Sequence, residues 1–311
     1  MKDETPIKII RLDDLTSLRV TGNDATKFLH AQFTNDLANL PVDNWQYSGY
    51  CTPKGRSLAF MTIARLGENE FLLILPAEVS DKVLPRLRMF VMRDDVTITQ
   101  QDENTTILGI LHAAGNLPDL AVTQVTENGK LSRDGDNFLL TLDHESGRFL
   151  YIGDTTKIDT DAATDRNDWT LADIQSGIPA VVLATQEAYV PQMINLDLIG
   201  AVNFKKGCYP GQEIVARVHY LGKIKQRMYV VKTDSKEQAQ PTDKIYIAGQ
   251  PEKAVGTVVQ SAISDSTQYL QAVLQTKTID ENLDLRLYSA DGEKLTMGDQ
   301  PYSVLDIKKE K

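Results

Sequence analysis

The 311-residue chain has only two cysteines, Cys51 and Cys208, and four scattered histidines. Two cysteines build no disulfide framework, and a reducing cytoplasm is the natural compartment for them. So few soft ligands also argue against a self-contained zinc or iron–sulfur site. No apolar run approaches the roughly 18 residues that cross a bilayer, so no membrane partner is expected. The first residues, MKDETPIKII, carry mixed charge and no apolar signal core, which argues against export. Neither G-x-G-x-x-G nor G-x-x-x-x-G-K-[ST] occurs, and H-E-x-x-H and G-x-S-x-G are missing too. Dehydrogenase and hydrolase readings therefore have no support. Cations are outnumbered 33 to 43, a net charge of −10. This disfavours a general nucleic-acid binder, which usually shows a basic face.

What is present fits an ordinary globular protein, with 41% hydrophobic and 24% charged residues. A single core stops growing near about 250–300 residues, so two or three packed units are expected. The charge is uneven. Residues 204–227 hold six cations (Lys205, Lys206, Arg217, Lys223, Lys225, Arg227) against Glu213 alone, and the remainder carries −15. Such a segment reads either as a local anion site or as a solvated charged face.

Period-two alternation places a strand within 7–20. Ala25, Phe28, Leu29, Phe33 and Leu37 recur at helical spacing, so a helix is expected over 24–39. Strands follow at 45–51, 57–66 and 70–75, the first two joined by a tight turn at Pro53-Lys54-Gly55. A helix over 77–92 precedes strands at 95–100, 105–111, 137–142 and 148–153. Residues 154–168 are polar and acidic, a linker or exposed turn. A short helix over 169–177 stops at Gly177, and another runs from Gly211 to about Leu221. Beyond 226 the pattern is all β: 227–233, 244–248, 255–261, 268–275, 283–288 and 302–307, a small barrel or sandwich. The class expected is α+β.

The segment Lys205-Lys206-Gly207-Cys208-Tyr209-Pro210-Gly211-Gln212-Glu213 carries the chemistry. Its glycines and proline force a defined turn and permit close backbone approach. Two lysines and a following helix N-terminus favour a thiolate at Cys208. The alternative is a buried small hydrophobe, which is the reading given to Cys51 at its strand end. Trp45 opens a strand and reads as structural.

This segment resembles the signature of the YgfZ-type folate-binding proteins, bacterial relatives of the glycine-cleavage T-protein. Other segments agree in order. Val20-Thr21-Gly22-x-Asp24-Ala25-x-x-Phe28-Leu29 and Thr34-Asn35-Asp36 are similar to the N-terminal motif. Cys51-Thr52-Pro53-Lys54-Gly55-Arg56 resembles the hairpin of the middle domain. Ile174-x-x-Gly177-Ile178-Pro179 and Pro191-Gln192-x-x-Asn195-Leu196 lead into the cysteine segment.

The resemblance implies a three-domain ring with a ferredoxin-like middle domain and a C-terminal β-barrel. Its domains would be 1–44 with 160–225, then 45–159, then 226–311. It implies binding of tetrahydrofolate or a derivative, and a cytoplasmic accessory role in iron–sulfur cluster assembly or repair and thereby in tRNA modification. The partners would be folate and iron–sulfur client or assembly proteins, with direct nucleic-acid binding not expected. Cys208 would be the functional thiol. Lys206, Gly207, Tyr209 and Gln212 of the same segment join the expected folate site. Trp169 matches a folate-associated tryptophan, open either to stacking or to core packing. Leu15 stands where the family has a second tryptophan. Gln175 replaces the glutamate that holds the pterin, keeping hydrogen bonds but not charge. Arg217 and Arg227 suit the glutamate tail of folate, or else surface ion pairs. Leu58 and Ala59 occupy the position of the T-protein's catalytic aspartate, so aminomethyl transfer is not expected. The alternatives kept open are a folate-dependent one-carbon transferase and an RNA-binding protein.

Overall fold

Alternating apolar residues near the N-terminus form two strands, β1 (Lys8–Arg11) and β2 (Leu15–Thr21), in a computed structural model of the chain. The structure describes residues 6–100, 102, 105–112, 120, 122, 126–156, 158 and 165–304. After helix α1 (Ala25–Gln32) come β3 (Asn44–Cys51), β4 (Ser57–Gly67) and β5 (Glu70–Pro76). Helix α2 (Ala77–Val91) buries Val79, Val83 and Leu87, spaced four apart on one face. Then follow β6 (Thr97–Gln100), β7 (Thr106–Leu111), β8 (Leu131–Asp134), β9 (Asn137–Asp143) and β10 (Arg148–Gly153). One five-stranded sheet has the order β3-β4-β5-β2-β6 and the other β1-β7-β10-β9-β8.

The chain divides into two compact units: Met1–His30, Asp36–Tyr47 and Met61–Trp169 in the first, and Ala31–Asn35, Ser48–Phe60 and Thr170–Lys311 in the second. In the first, antiparallel register sets Leu18 opposite Leu73 and Ile63 opposite Leu73, all fully buried. Such cross-strand apolar pairs fix which face turns inward. Leu108, Ile110, Leu139, Phe149 and Tyr151 form a second buried cluster there.

The second unit holds most of helix α3 (Arg166–Ser176), the short helix α4 (Gln212–Tyr220) and a closed barrel. The barrel strands are β11 (Gln226–Thr233), β12 (Lys244–Ile247), β13 (Gly256–Ser264), β14 (Thr267–Gln275), β15 (Leu285–Leu287) and β16 (Lys294–Met297), in the order β11-β14-β13-β12-β15-β16. Val231, Ile245, Val258, Leu270, Leu274 and Leu287 fill it. Closure leaves no unpaired sheet edge.

Four local expectations are corrected. The first helix ends at Gln32, not 39, because polar side chains take the chain elsewhere. Thr34 Oγ1 donates to Ala201 O at 2.7 Å and accepts from Gly49 N at 2.8 Å, while Asn35 N donates to Ser48 Oγ at 3.1 Å. Helix α3 begins at Arg166 rather than 169, since Asp165 Oδ1 accepts from Asn167 N at 3.0 Å and so caps it. It does stop at Gly177, whose φ is +70°. Of the expected 154–168 linker, residues 157 and 159–164 lie outside the described residues. Strand β8 was not anticipated. The barrel closes with Lys294–Met297, not 302–307: Tyr302 instead donates its hydroxyl to Gly177 O at 2.9 Å. Residues 305–307 lie outside the described residues.

Candidate functional site

Within the second unit, residues 33–35 lie between the end of β3 and the loop at 200–203. Thr34 N donates to Gly49 O at 2.9 Å and Asn203 N donates to Thr34 O at 3.0 Å. Asn35 Nδ2 adds a bond to Gly200 O at 2.8 Å. The chain then turns at Asn203, whose Oδ1 accepts from the backbone N of Lys205 (2.8 Å) and Lys206 (3.1 Å). This asparagine-led turn needs no neighbouring strand.

The turn drives Lys206 inward. It is only 8% exposed, its Nζ donates to Phe33 O at 2.5 Å, and it lies 5.1 Å from the centroid of the Tyr209 ring. A buried ammonium is tolerated because a carbonyl and a ring face receive it. Tyr209 is buried as well. Burial first, and the neighbouring Cys51 second, push its phenol well above the ordinary range. Burial likewise pushes the Cys51 thiol up to about 12, so it stays protonated at neutral pH. Cys208, between Gly207 and Tyr209, is exposed, and both cysteines are free thiols. Of the two lysines expected beside it, only Lys205 remains on the surface.

Two glycines lock this loop to the β3–β4 turn. Gly211 has φ +83° and caps α4, and a Cβ on it would stand 2.7 Å from Gly55 Cα and would collide with Thr52 O. Gly55 has φ +69°, and a Cβ there would lie 2.9 Å from Ile214 Cβ. Both positions therefore require glycine for conformation and for space. The Pro53-Lys54-Gly55 turn closes through Gly55 N to Thr52 O at 2.9 Å and Thr52 N to Arg56 O at 2.8 Å. Gln212 faces back into the loop, its Nε2 3.4 Å from Lys206 O. Helix α4 is tied down from below by Gln192, whose Nε2 donates to Val215 O at 2.7 Å.

Of the residues expected at the site, the structure thus gathers Lys206, Gly207, Cys208 and Tyr209 in one loop and Gln212 at the start of α4 that follows it. Arg217 is exposed on α4 and makes no ion pair with the described residues. Gln175 is exposed near the end of α3. Arg227 is 2% exposed and grips Asp197 in a fork of 2.6 and 2.9 Å, with a further bond to Gln192 O at 2.9 Å. Its charge is neutralised inside, so the surface cations of the basic segment are Lys205, Arg217, Lys223 and Lys225. Leu58 gives its carbonyl to Gln186 Nε2 at 2.8 Å and Ala59 is fully buried, with no carboxylate between Arg56 and Phe60.

Trp169 and Leu15 belong to the first unit. Trp169 is 4% exposed, its ring pressed on the Cα of Gly109, with Arg148 Cζ 4.5 Å from the ring centroid. Leu15 lines a cavity of about 250 Å³ together with Arg11, Asp13, Ser17 and Gln100. Sequence reasoning did not single out Asp197, nor a surface groove of the second unit bordered by Asn35, Asn203, Phe204, Lys205, His219 and Tyr220. The interleaving of Phe204, His219 and Tyr220 with cations was the available signal for the groove.

Residues 5–131 match the family model described as the GCVT N-terminal domain. The fold is shared with the glycine cleavage system aminomethyltransferase T of Bartonella henselae, with a TM-score of 0.73 and 12% identity over 96% of this chain and 86% of that one. The class of fold is the one expected, an α+β protein with a C-terminal barrel, shared with that T-protein. Along nearly its whole length the chain is, further, similar to proteins named YgfZ. It is 28% identical over 303 residues to the tRNA-modifying protein YgfZ of Blochmanniella pennsylvanica, covering 91% of each chain. It is 28% identical over 317 residues to the protein of that name in Yersinia enterocolitica, covering 98% of this chain and 95% of that one.

Proposed function

We propose that this chain is a cytoplasmic folate-binding accessory protein of the YgfZ kind, which supports iron–sulfur cluster assembly or repair in client enzymes and thereby tRNA modification. Cys208 is its functional thiol. The observation that carries the reading is the contrast between the two cysteines. Cys51 is buried and held protonated, while Cys208 is exposed on a loop that Gly211 and Gly55 hold in one conformation. A thiol kept at the surface by such a lock is placed for exchange with a partner.

The side chains fit a reduced folate in kind. A pterin edge needs an amide or carboxylate, and Gln175 offers an exposed amide with no hydrogen bond to the described residues. The glutamate tail needs a cation, and exposed Arg217 supplies one. Lys206, Gly207, Tyr209 and Gln212 shape the loop around Cys208. The resemblance also assigns Trp169 and Leu15 to folate. Arg227 is left out of the contacts because Asp197 already fills its fork. Folate brings one-carbon chemistry where it is bound. This chain has no carboxylate at Leu58 or Ala59 to assist it, so aminomethyl transfer is not its activity. The domains we assign are 1–44 with 160–225, 45–159 and 226–311.

An iron–sulfur cluster is cargo here, not a resident group. Among the described residues no group of three or more histidine, cysteine, aspartate or glutamate side chains is placed to hold a metal. One thiolate would hold a cluster only jointly with a client's ligands. The test is a tetrahydrofolate titration followed by tryptophan fluorescence, repeated on Trp169→Phe. A saturable change that shrinks in the variant supports the reading, and a flat response in both refutes folate binding near Trp169.

A further inference from the structure

Phe204, His219 and Tyr220 make an aromatic corner on the second unit. Phe204 and His219 stack with centroids 3.6 Å apart and planes at 12°. Tyr220 stands across them, at 72° to Phe204 (6.2 Å) and 81° to His219 (4.7 Å). It remains 48% exposed. Beside the corner is a groove of about 450 Å³, whose rim carries Asn203 and Lys205. The Asn203 Oδ1 is engaged by two backbone N–H groups, while its Nδ2 makes no hydrogen bond with the described residues. That leaves a donor fixed in direction.

The charge of the surrounding segment is positive. Lys8, Arg19, Arg166 and Arg286 each sit in an ion pair. Lys205, Arg217, Lys223 and Lys225 are exposed and make none among the described residues, with Glu213 the single acid in their segment. A half-exposed tyrosine ring, cations outside ion pairs and a directed amide are what an aromatic heterocycle carrying an anion requires. Every base has a π-face that stacks on such rings, and an ammonium meets phosphate as a point charge.

We propose that this groove binds a nucleotide, its base against Tyr220, a base edge at Asn203 Nδ2 and its phosphate beside Lys205. The nucleotide is either free or part of a single-stranded RNA. The net charge of −10 confines the footprint to one or two nucleotides and keeps the protein from being a general nucleic-acid binder. This goes beyond the folate reading and does not depend on it.

The test is fluorescence anisotropy of a labelled five-nucleotide single-stranded RNA with the intact chain. Binding should weaken roughly three- to sevenfold between 50 and 200 mM salt, as about one to two neutralised phosphates dictate. Tyr220→Ala and Lys205→Ala should each weaken it by about fivefold or more, and Tyr220→Phe should retain it. Unlabelled adenosine monophosphate that competes as well as unlabelled RNA identifies a free nucleotide as the ligand. Competition by RNA alone identifies the strand. The proposal is overturned if neither ligand binds at low salt, or if Tyr220→Ala, with an unchanged circular dichroism spectrum and Tm, binds as the parent does. It is overturned equally if tetrahydrofolate displaces the RNA, for then the groove belongs to folate.

Discussion

Gly211 rests directly on Gly55: a Cβ on the first would stand 2.7 Å from the Cα of the second. The two residues are 156 positions apart in sequence, and each lies in a left-handed conformation. Their contact fixes the cysteine loop against the β3–β4 turn.

Gly211→Ala should therefore strain the backbone by about 1–2 kcal/mol and also force Thr52 and Gly55 apart. A fall in Tm of several degrees is expected. Faster exchange of the amide protons at 207–212 should accompany it, read by hydrogen exchange. An alanine variant with parent stability and exchange would show that the loop is not held by this contact.

The cysteines should label in a fixed order. A mild alkylating agent at neutral pH should modify Cys208 and leave Cys51 untouched, which mass spectrometry after brief exposure reports. The Cys51 thiol, pushed up to about 12 by burial, also contributes to alkaline instability. Its raised value stabilises the fold fully below the unfolded value of about 8.5 and that contribution is lost as pH climbs toward 12. Replacing Cys51 by alanine should flatten this part of the pH profile. Labelling of Cys51 first would contradict the assignment.

Arg227 and Asp197 form a buried pair, 2% and 3% exposed. Asp197→Asn or Arg227→Ala should cost about 3–5 kcal/mol, since each strands a buried charge or removes its partner. The double replacement Arg227→Met with Asp197→Leu should recover most of that loss. Denaturant unfolding of the four proteins checks it. Single variants as stable as the parent would mean that the pair is open to solvent.

Purified protein should fail to move an aminomethyl group to tetrahydrofolate. Loss of a positioned acid–base group removes about 10²–10⁴-fold of rate, and Leu58 and Ala59 offer none. Turnover at the level of a T-protein would instead establish a transferase.

Parts of this architecture are legible in the sequence because their causes are local. The face of α2 made by Val79, Val83 and Leu87 is a periodicity, and the Pro53-Lys54-Gly55 turn is a property of those residue types. The end of α1 is not, because the partner that draws Thr34 away, Ala201, lies 167 residues further on. Arg227 shows the same limit. Its charge is plain in the sequence, but Asp197, which consumes it, is found only in the fold. Lys206 reads as surface charge and is buried, because the turn that Asn203 builds points it at Phe33 O. Motif order does locate the cysteine loop, since Gly211 in it and Gly55 in the turn it rests on leave a mark in residue type.

The measurement that bears most directly on the folate reading is an anaerobic calorimetric titration with tetrahydrofolate of the parent, Gln175→Glu and Gln175→Ala. Charge-assisted hydrogen bonds contribute roughly 1.5–3 kcal/mol where neutral ones contribute about 1. After the opposing desolvation of a new carboxylate, the glutamate variant should bind about fivefold more tightly. The alanine variant should bind more weakly by a similar factor. Three equal affinities would remove Gln175 from the site, and the absence of saturable binding in all three would contradict the folate-binding function itself.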